Sequence, residues 1–112
     1  MIADPLSIFF AAESFNDLKA PVQLWGSERG GDGVTPEGVR DIVAWLPTRP
    51  DFRVVPNSHH FDFLGPCPAE LAKSRPEICD DEPGFDRLAF HKEFNAAVPA
   101  FFREHLRDAQ RP

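Results

Sequence analysis

Two short stretches hold the side chains best suited to chemistry. The first, SERGGDG from Ser27 to Gly33, carries Glu28, Arg29 and Asp32; the second, NSHHFD from Asn57 to Asp62, carries His59, His60 and Asp62. A histidine base needs a carboxylate on one ring nitrogen. That carboxylate fixes the tautomer and stabilises the imidazolium, leaving the other nitrogen to take a proton. An acid from the first stretch and a histidine from the second would make such a pair wherever the two loops meet. Plainer roles stand beside this one. Asp32 in a Gly-rich loop is a natural turn residue. Glu28 is the runner-up acid or a solvated loop charge. His59 and His60 are surface loop residues or, with Asp62, metal ligands, although adjacent residues rarely converge on one ion.

The elements that would position these loops are legible in the pattern. Pro21 to Gly26 (PVQLWG) reads as a strand covered on both faces, because its apolar residues do not alternate cleanly. Thr35 to Leu46 reads as a helix, with Thr35 as N-cap and Pro36 at the first helical position. Val34 and Val39 flank the cap at the spacing of a hydrophobic staple. Val39, Ile42, Val43 and Leu46 form one apolar face, and Pro47 stops the helix. Phe52 to Pro56 (FRVVP) reads as a second strand. Strand, helix, strand is a βαβ unit with parallel strands and a right-handed crossover. The candidate loops leave the C-terminal ends of its two strands, the edge where open α/β sheets gather ligands.

The remaining segments are less regular. Met1 to Ala20 is mixed, with a turn signal at Asp4-Pro5 and one helical turn within Ser14 to Leu18. Gly65 to Gly84 is an irregular excursion holding four prolines and both cysteines, with a short helix over Ala69 to Lys73. Asp86 to Ala109 reads as a long closing helix. Asp86 is its N-cap and Phe85 and Phe90 its staple. Phe90, Phe94, Val98, Phe101 and Phe102 form an apolar stripe, which is core rather than a cofactor site. Pro99 inside the helix predicts a kink. His91 and His105 read as ordinary helix-surface residues.

Composition bounds the function. With 112 residues the chain is one domain, 1–112, or part of a larger one. Hydrophobic residues at 42% allow a packed core, and 11 Phe with no Tyr imply an aromatic one. A net charge of −6 argues against nucleic acid and against an anionic membrane surface as partners. No apolar run approaches a membrane span, and no signal peptide is visible. Cys67 and Cys79 form either a disulfide or two reduced, buried thiols. They read as structural rather than catalytic, and without a CxxC they disfavour a zinc ribbon or a redox centre.

PVQLWGSERGGDGVTPEGV, then FRVVPNSHHFDFL, then FNAAVPAFFREHL together resemble the last third of an α/β-hydrolase of the dienelactone-hydrolase-like branch. The resemblance covers Pro21 to Leu106. It implies an α/β fold that is the C-terminal part of the hydrolase fold, with parallel strands, a βαβ unit and a closing C-terminal helix. It places Asp32 on the triad acid and His60, directly before Phe61, on the triad histidine. The glycine that usually precedes that histidine is His59 here, which makes His59 the alternative base. The implied activity is serine-hydrolase cleavage of a small ester or lactone, with no cofactor.

The nucleophile elbow, G-x-S-x-G, is not found at Ser7, Ser14, Ser27, Ser58 or Ser74. On this resemblance the nucleophile and the oxyanion hole lie before Met1, and the chain is inactive alone. A partial parallel sheet would also expose apolar surface, so self-association through the sheet edge is expected. The alternative is a non-enzymatic α/β interaction module, or the remnant of a truncated gene, docking on a partner through that edge.

Overall fold

The computed structural model describes residues 1–109. The chain is a mixed α/β structure built on a three-stranded, all-parallel sheet. Its strands are β1 (Ile2–Ala3), β2 (Gln23–Ser27) and β3 (Asp51–Val55), in the order β1-β2-β3. Ile2 lies opposite Leu24, and Gln23 to Ser27 run in register with Asp51 to Val55. The two read strands are present and parallel, their bounds shifted by one or two residues. β1 lies in the segment read as mixed.

Successive residues of a strand face opposite sides, and β2 uses both. Leu24 points to one face and packs with Val34, Val39, Ile42 and Leu46. These belong to helix α1 (Pro36–Trp45) and its flanks. Trp25 points to the other face and packs with Val55 and Phe90, Phe90 lying on helix α4 (Arg87–Ala109). The central strand β2 is thus covered on both faces, with all five of its residues buried, whereas the edge strand β3 leaves Arg53 and Val54 exposed. Gly26 lets α1 come close: a Cβ there would stand 3.2 Å from Val39 Cγ1.

The helix starts follow their local signals. Thr35 Oγ1 accepts the Gly38 N–H at 3.0 Å, capping α1. Asp86 Oδ1 accepts the Ala89 N–H at 3.0 Å, and the Phe85 and Phe90 rings stand 6.0 Å apart. Helix α4 continues through Pro99 to Ala109. Its first turns carry an aromatic cluster: Trp25 meets Phe94 edge-on at 5.0 Å, and Phe63 meets Phe90 at 5.4 Å. His91 departs from its surface reading. It is buried, with Nε2 2.8 Å from the Asp62 carbonyl.

The excursion between β3 and α4 is more ordered than its prolines suggest. It contains helix α2 (Ala69–Ser74), matching the expected short helix, and helix α3 (Pro76–Cys79). Cys67 and Cys79, left open by the sequence, form a disulfide with Cα atoms 5.8 Å apart. Closing a loop of that length stabilises by about 2–4 kcal/mol, chiefly by restricting the unfolded chain. Replacing both cysteines by serine should lower the denaturation free energy by about that amount, read as a lower urea midpoint. An unchanged midpoint would show that the loop is held by its other contacts alone.

Candidate active site

The two candidate loops leave β2 and β3 at the same rim and are stitched together. Arg29 N–H donates to the Ser58 carbonyl at 2.9 Å, and His60 N–H to the Gly30 carbonyl at 2.8 Å. Arg29 Nη2 reaches Asn57 Oδ1 at 2.8 Å. The Ser58 hydroxyl donates to the Val55 carbonyl at 2.7 Å, closing the turn that leaves β3. Gly30 has φ +69°, and a side chain there would strike the Val34 carbonyl. The loop after β2 therefore curls tightly enough to lie against His60.

The carboxylate on His60 is Asp4. Its Oδ2 stands 2.8 Å from His60 Nδ1, with the Asp4 side chain 1% exposed and that of His60 28% exposed. A carboxylate can only accept, so this bond places the proton on Nδ1 and leaves Nε2 free to take one. Asp4 immediately follows β1, at the same rim as both loops. Its own N–H donates to the Trp25 carbonyl at 2.8 Å, extending the β1–β2 ladder by one residue. Its φ of 48° is one that Asp tolerates better than most residues.

Asp32 has the plainer role. Gly31 and Val34 exchange backbone hydrogen bonds at 2.9 and 3.0 Å, and Asp32-Gly33 lies between them. Both central residues have positive φ, 51° and 92°, as a type I′ turn requires, and Asp-Gly is a preferred pair for it. Asp32 is exposed at the tip of this small hairpin. It shares with His60 the lining of a cleft of about 270 Å³, together with Gly30, Gly31, His59 and Phe61. The pairing of Asp32 with His60 expected from the sequence is thus replaced by Asp4 with His60. The two expected residues share the rim, but Asp32 is not the group on the imidazole.

The other candidates disperse to separate partners. Glu28 is exposed. His59 Nε2 lies 3.4 Å from Glu82 Oε1 on the surface. Asp62 is buried, and its Oδ2 accepts the His59 N–H at 2.7 Å. Among the described residues no three His, Cys, Asp or Glu side chains gather to hold a metal ion, and no helix is long and apolar enough to cross a membrane.

Asp62 anchors the loop from behind. Arg87 Nη2 reaches its Oδ1 at 3.0 Å, while Arg87 Nε reaches Asp81 Oδ1 at 2.7 Å. Burial pushes the Asp62 carboxyl above the ordinary carboxylate range, and nearby Asp81 adds to this; the His59 N–H and the Arg87 guanidinium oppose it. A larger cleft, about 680 Å³, lies between the disulfide loop and the start of α4, lined by Cys67, Cys79, Asp81, Phe85 and Arg87. It excludes His60 and is separate from the rim cleft that holds the candidate pair.

Asp4 was missed because Met1 to Asp4 is too short to read as a strand, and Asp4-Pro5 looks like a turn. One signal was present. An apolar Ile2-Ala3 followed by an acid repeats, in miniature, the strand-then-acid pattern seen after β2. No protein-family model matches the chain, and neither a curated protein nor a solved structure matches it.

Proposed function

We propose that the chain is the acid-and-base portion of a serine-hydrolase-type α/β-hydrolase acting on small esters or lactones, of the dienelactone-hydrolase-like kind. His60 is the general base and Asp4 its orienting carboxylate. The observation that carries this reading is the 2.8 Å contact between a buried carboxylate and Nδ1 of a part-exposed imidazole at the C-terminal rim of a parallel sheet. The nucleophile and the oxyanion donors come from residues outside these 112.

The test compares short-ester hydrolysis by the 112 residues with hydrolysis by the same residues joined to the in-frame segment encoded upstream. Activity is expected only in the longer polypeptide, and His60→Ala should lower it by roughly 10⁶-fold. Turnover by the 112 residues alone, abolished by His60→Ala, would show that the site is complete without an outside nucleophile.

A second reading, an interaction module, is favoured by Ile8 and Phe9. They are 82% and 77% exposed beside the rim, where the turn Ser7–Phe9 packs on α1. Such an apolar patch is what docking surfaces present. A longer polypeptide that is folded yet inert toward every short ester would favour this reading.

A further inference from the structure

We propose that Ser27 is a positioning residue that locks the Asp4 carboxylate in the plane His60 needs. This rests on the Asp4–His60 pair being the working centre. Ser27 closes β2, the central strand, between the ends of β1 and β3, and it is 3% exposed. Its N–H donates to Asp4 Oδ1 at 2.8 Å, and its hydroxyl donates to Asp4 Oδ2 at 2.8 Å. The same hydroxyl accepts the Gly30 N–H at 3.0 Å. The Gly30 carbonyl accepts the His60 N–H at 2.8 Å, and His60 Nδ1 returns to Asp4 Oδ2 at 2.8 Å. Asp4, Ser27, Gly30 and His60 therefore form a closed circuit of hydrogen bonds.

The physical need for the circuit lies in the carboxylate. Rotation of an Asp carboxyl about its last bond is soft, with broad, roughly two-fold preferences. One donor leaves the plane free to swing. Two donors from the same residue, one on each oxygen, fix it, and Oδ2 is then shared between the Ser27 hydroxyl and the imidazole. The hydroxyl also ties this carboxylate to the loop that receives the backbone of His60. Acid and base are thus referenced to one strand end rather than to two independent loops. The same geometry removes Ser27 as a nucleophile. Its proton is committed to Asp4, and among the described residues no imidazole nitrogen is hydrogen-bonded to its hydroxyl.

The experiment reads the His60 ring in the 112-residue chain labelled with ¹⁵N-histidine, at about pH 8, where an ordinary imidazole is neutral. His60→Gln identifies its signals. The expected wild-type result is one tautomer with the proton on Nδ1 and slow exchange of that proton. Ser27→Ala should give a mixture of tautomers, with exchange faster by roughly tenfold or more, as loss of a charge-assisted bond implies. Ser27→Thr, which keeps the hydroxyl, should restore the single tautomer. A merely structural serine would lower the melting midpoint and leave the tautomer alone.

A wild-type tautomer in folded Ser27→Ala would overturn the role of Ser27 while leaving the Asp4–His60 pair intact. A wild-type chain without the Nδ1–H tautomer would overturn the pair and the role of Ser27 with it. Should Ser27→Ala fail to fold, Ser27→Cys replaces it, since a thiol is a weak donor; an undisturbed tautomer there overturns the proposal equally.

Discussion

Replacing Arg87 with alanine should cost the chain about 3–5 kcal/mol of folding free energy. Arg87 is 5% exposed and holds three acceptors: Asp62 Oδ1 at 3.0 Å, Asp81 Oδ1 at 2.7 Å and the Ile78 carbonyl at 3.0 Å. Its removal leaves the Asp62 carboxyl, 2% exposed, without its cation in the interior. The buried charge left behind sets the size of the loss, not the attraction of the pair itself. The native network is not ideal, because Arg87 Nη1 is buried without a partner among the described residues. That offsets part of the gain and keeps the expectation within this range. Arg87→Lys should recover little, since an ammonium cannot present the fork that meets both carboxylates. Arg75→Ala is the control. Arg75 pairs with Glu77 at 3.3 Å with its side chain 64% exposed, and surface pairs of that kind contribute about 0–1 kcal/mol. Urea denaturation of the three variants checks this. A loss for Arg87→Ala no larger than for Arg75→Ala would mean that water reaches Asp62 and the network is not buried in solution.

Arg87 also shows why part of this architecture could not be read from the sequence. Local signals were legible wherever a residue type has a local cause. Thr35-Pro36 starts a helix because the hydroxyl satisfies a free N–H and proline has none to lose. Asp86 with Phe85 and Phe90 marks α4 for the same kind of reason. The βαβ core and the meeting of the two loops followed from those elements, and His60 fell at the rim as expected. What failed to show were pairings set only by the third dimension. Nothing near Arg87 in sequence announces that Asp62, 25 residues earlier, will meet it inside the structure. Nothing near His60 points to Asp4, 56 residues away. The resemblance even pointed away from it, to Asp32, although Asp32 sits in a sequence, Asp-Gly, that also makes a tight turn. The turn is what the backbone chose, and a strand of only two residues delivered the carboxylate instead.

That exchange gives the sharpest test of the site. On the proposed hydrolase reading, Asp4→Asn in the longer polypeptide should lower ester turnover by roughly 10³–10⁴-fold, because an amide can hydrogen-bond the wrong tautomer of His60 and cannot stabilise the imidazolium. Asp32→Asn should change turnover by no more than a few-fold. Asparagine tolerates the positive φ of that turn position nearly as well as aspartate, so the loop geometry survives the substitution. Both changes are nearly isosteric, which separates charge and hydrogen-bond pattern from packing. The buried variant will be the less stable of the two, since Asp4 Oδ1 and Oδ2 take both Ser27 donors. Turnover is therefore compared on the folded fraction, determined by near-ultraviolet circular dichroism. If Asp32→Asn is instead the crippling change and Asp4→Asn retains turnover, the loop must rearrange in the working enzyme so that Asp32 replaces Asp4 on the imidazole. The present geometry would then be a resting arrangement. Equal, modest losses from both would remove the carboxylate–imidazole pair from the chemistry altogether and leave the exposed Ile8–Phe9 surface as the better guide to function.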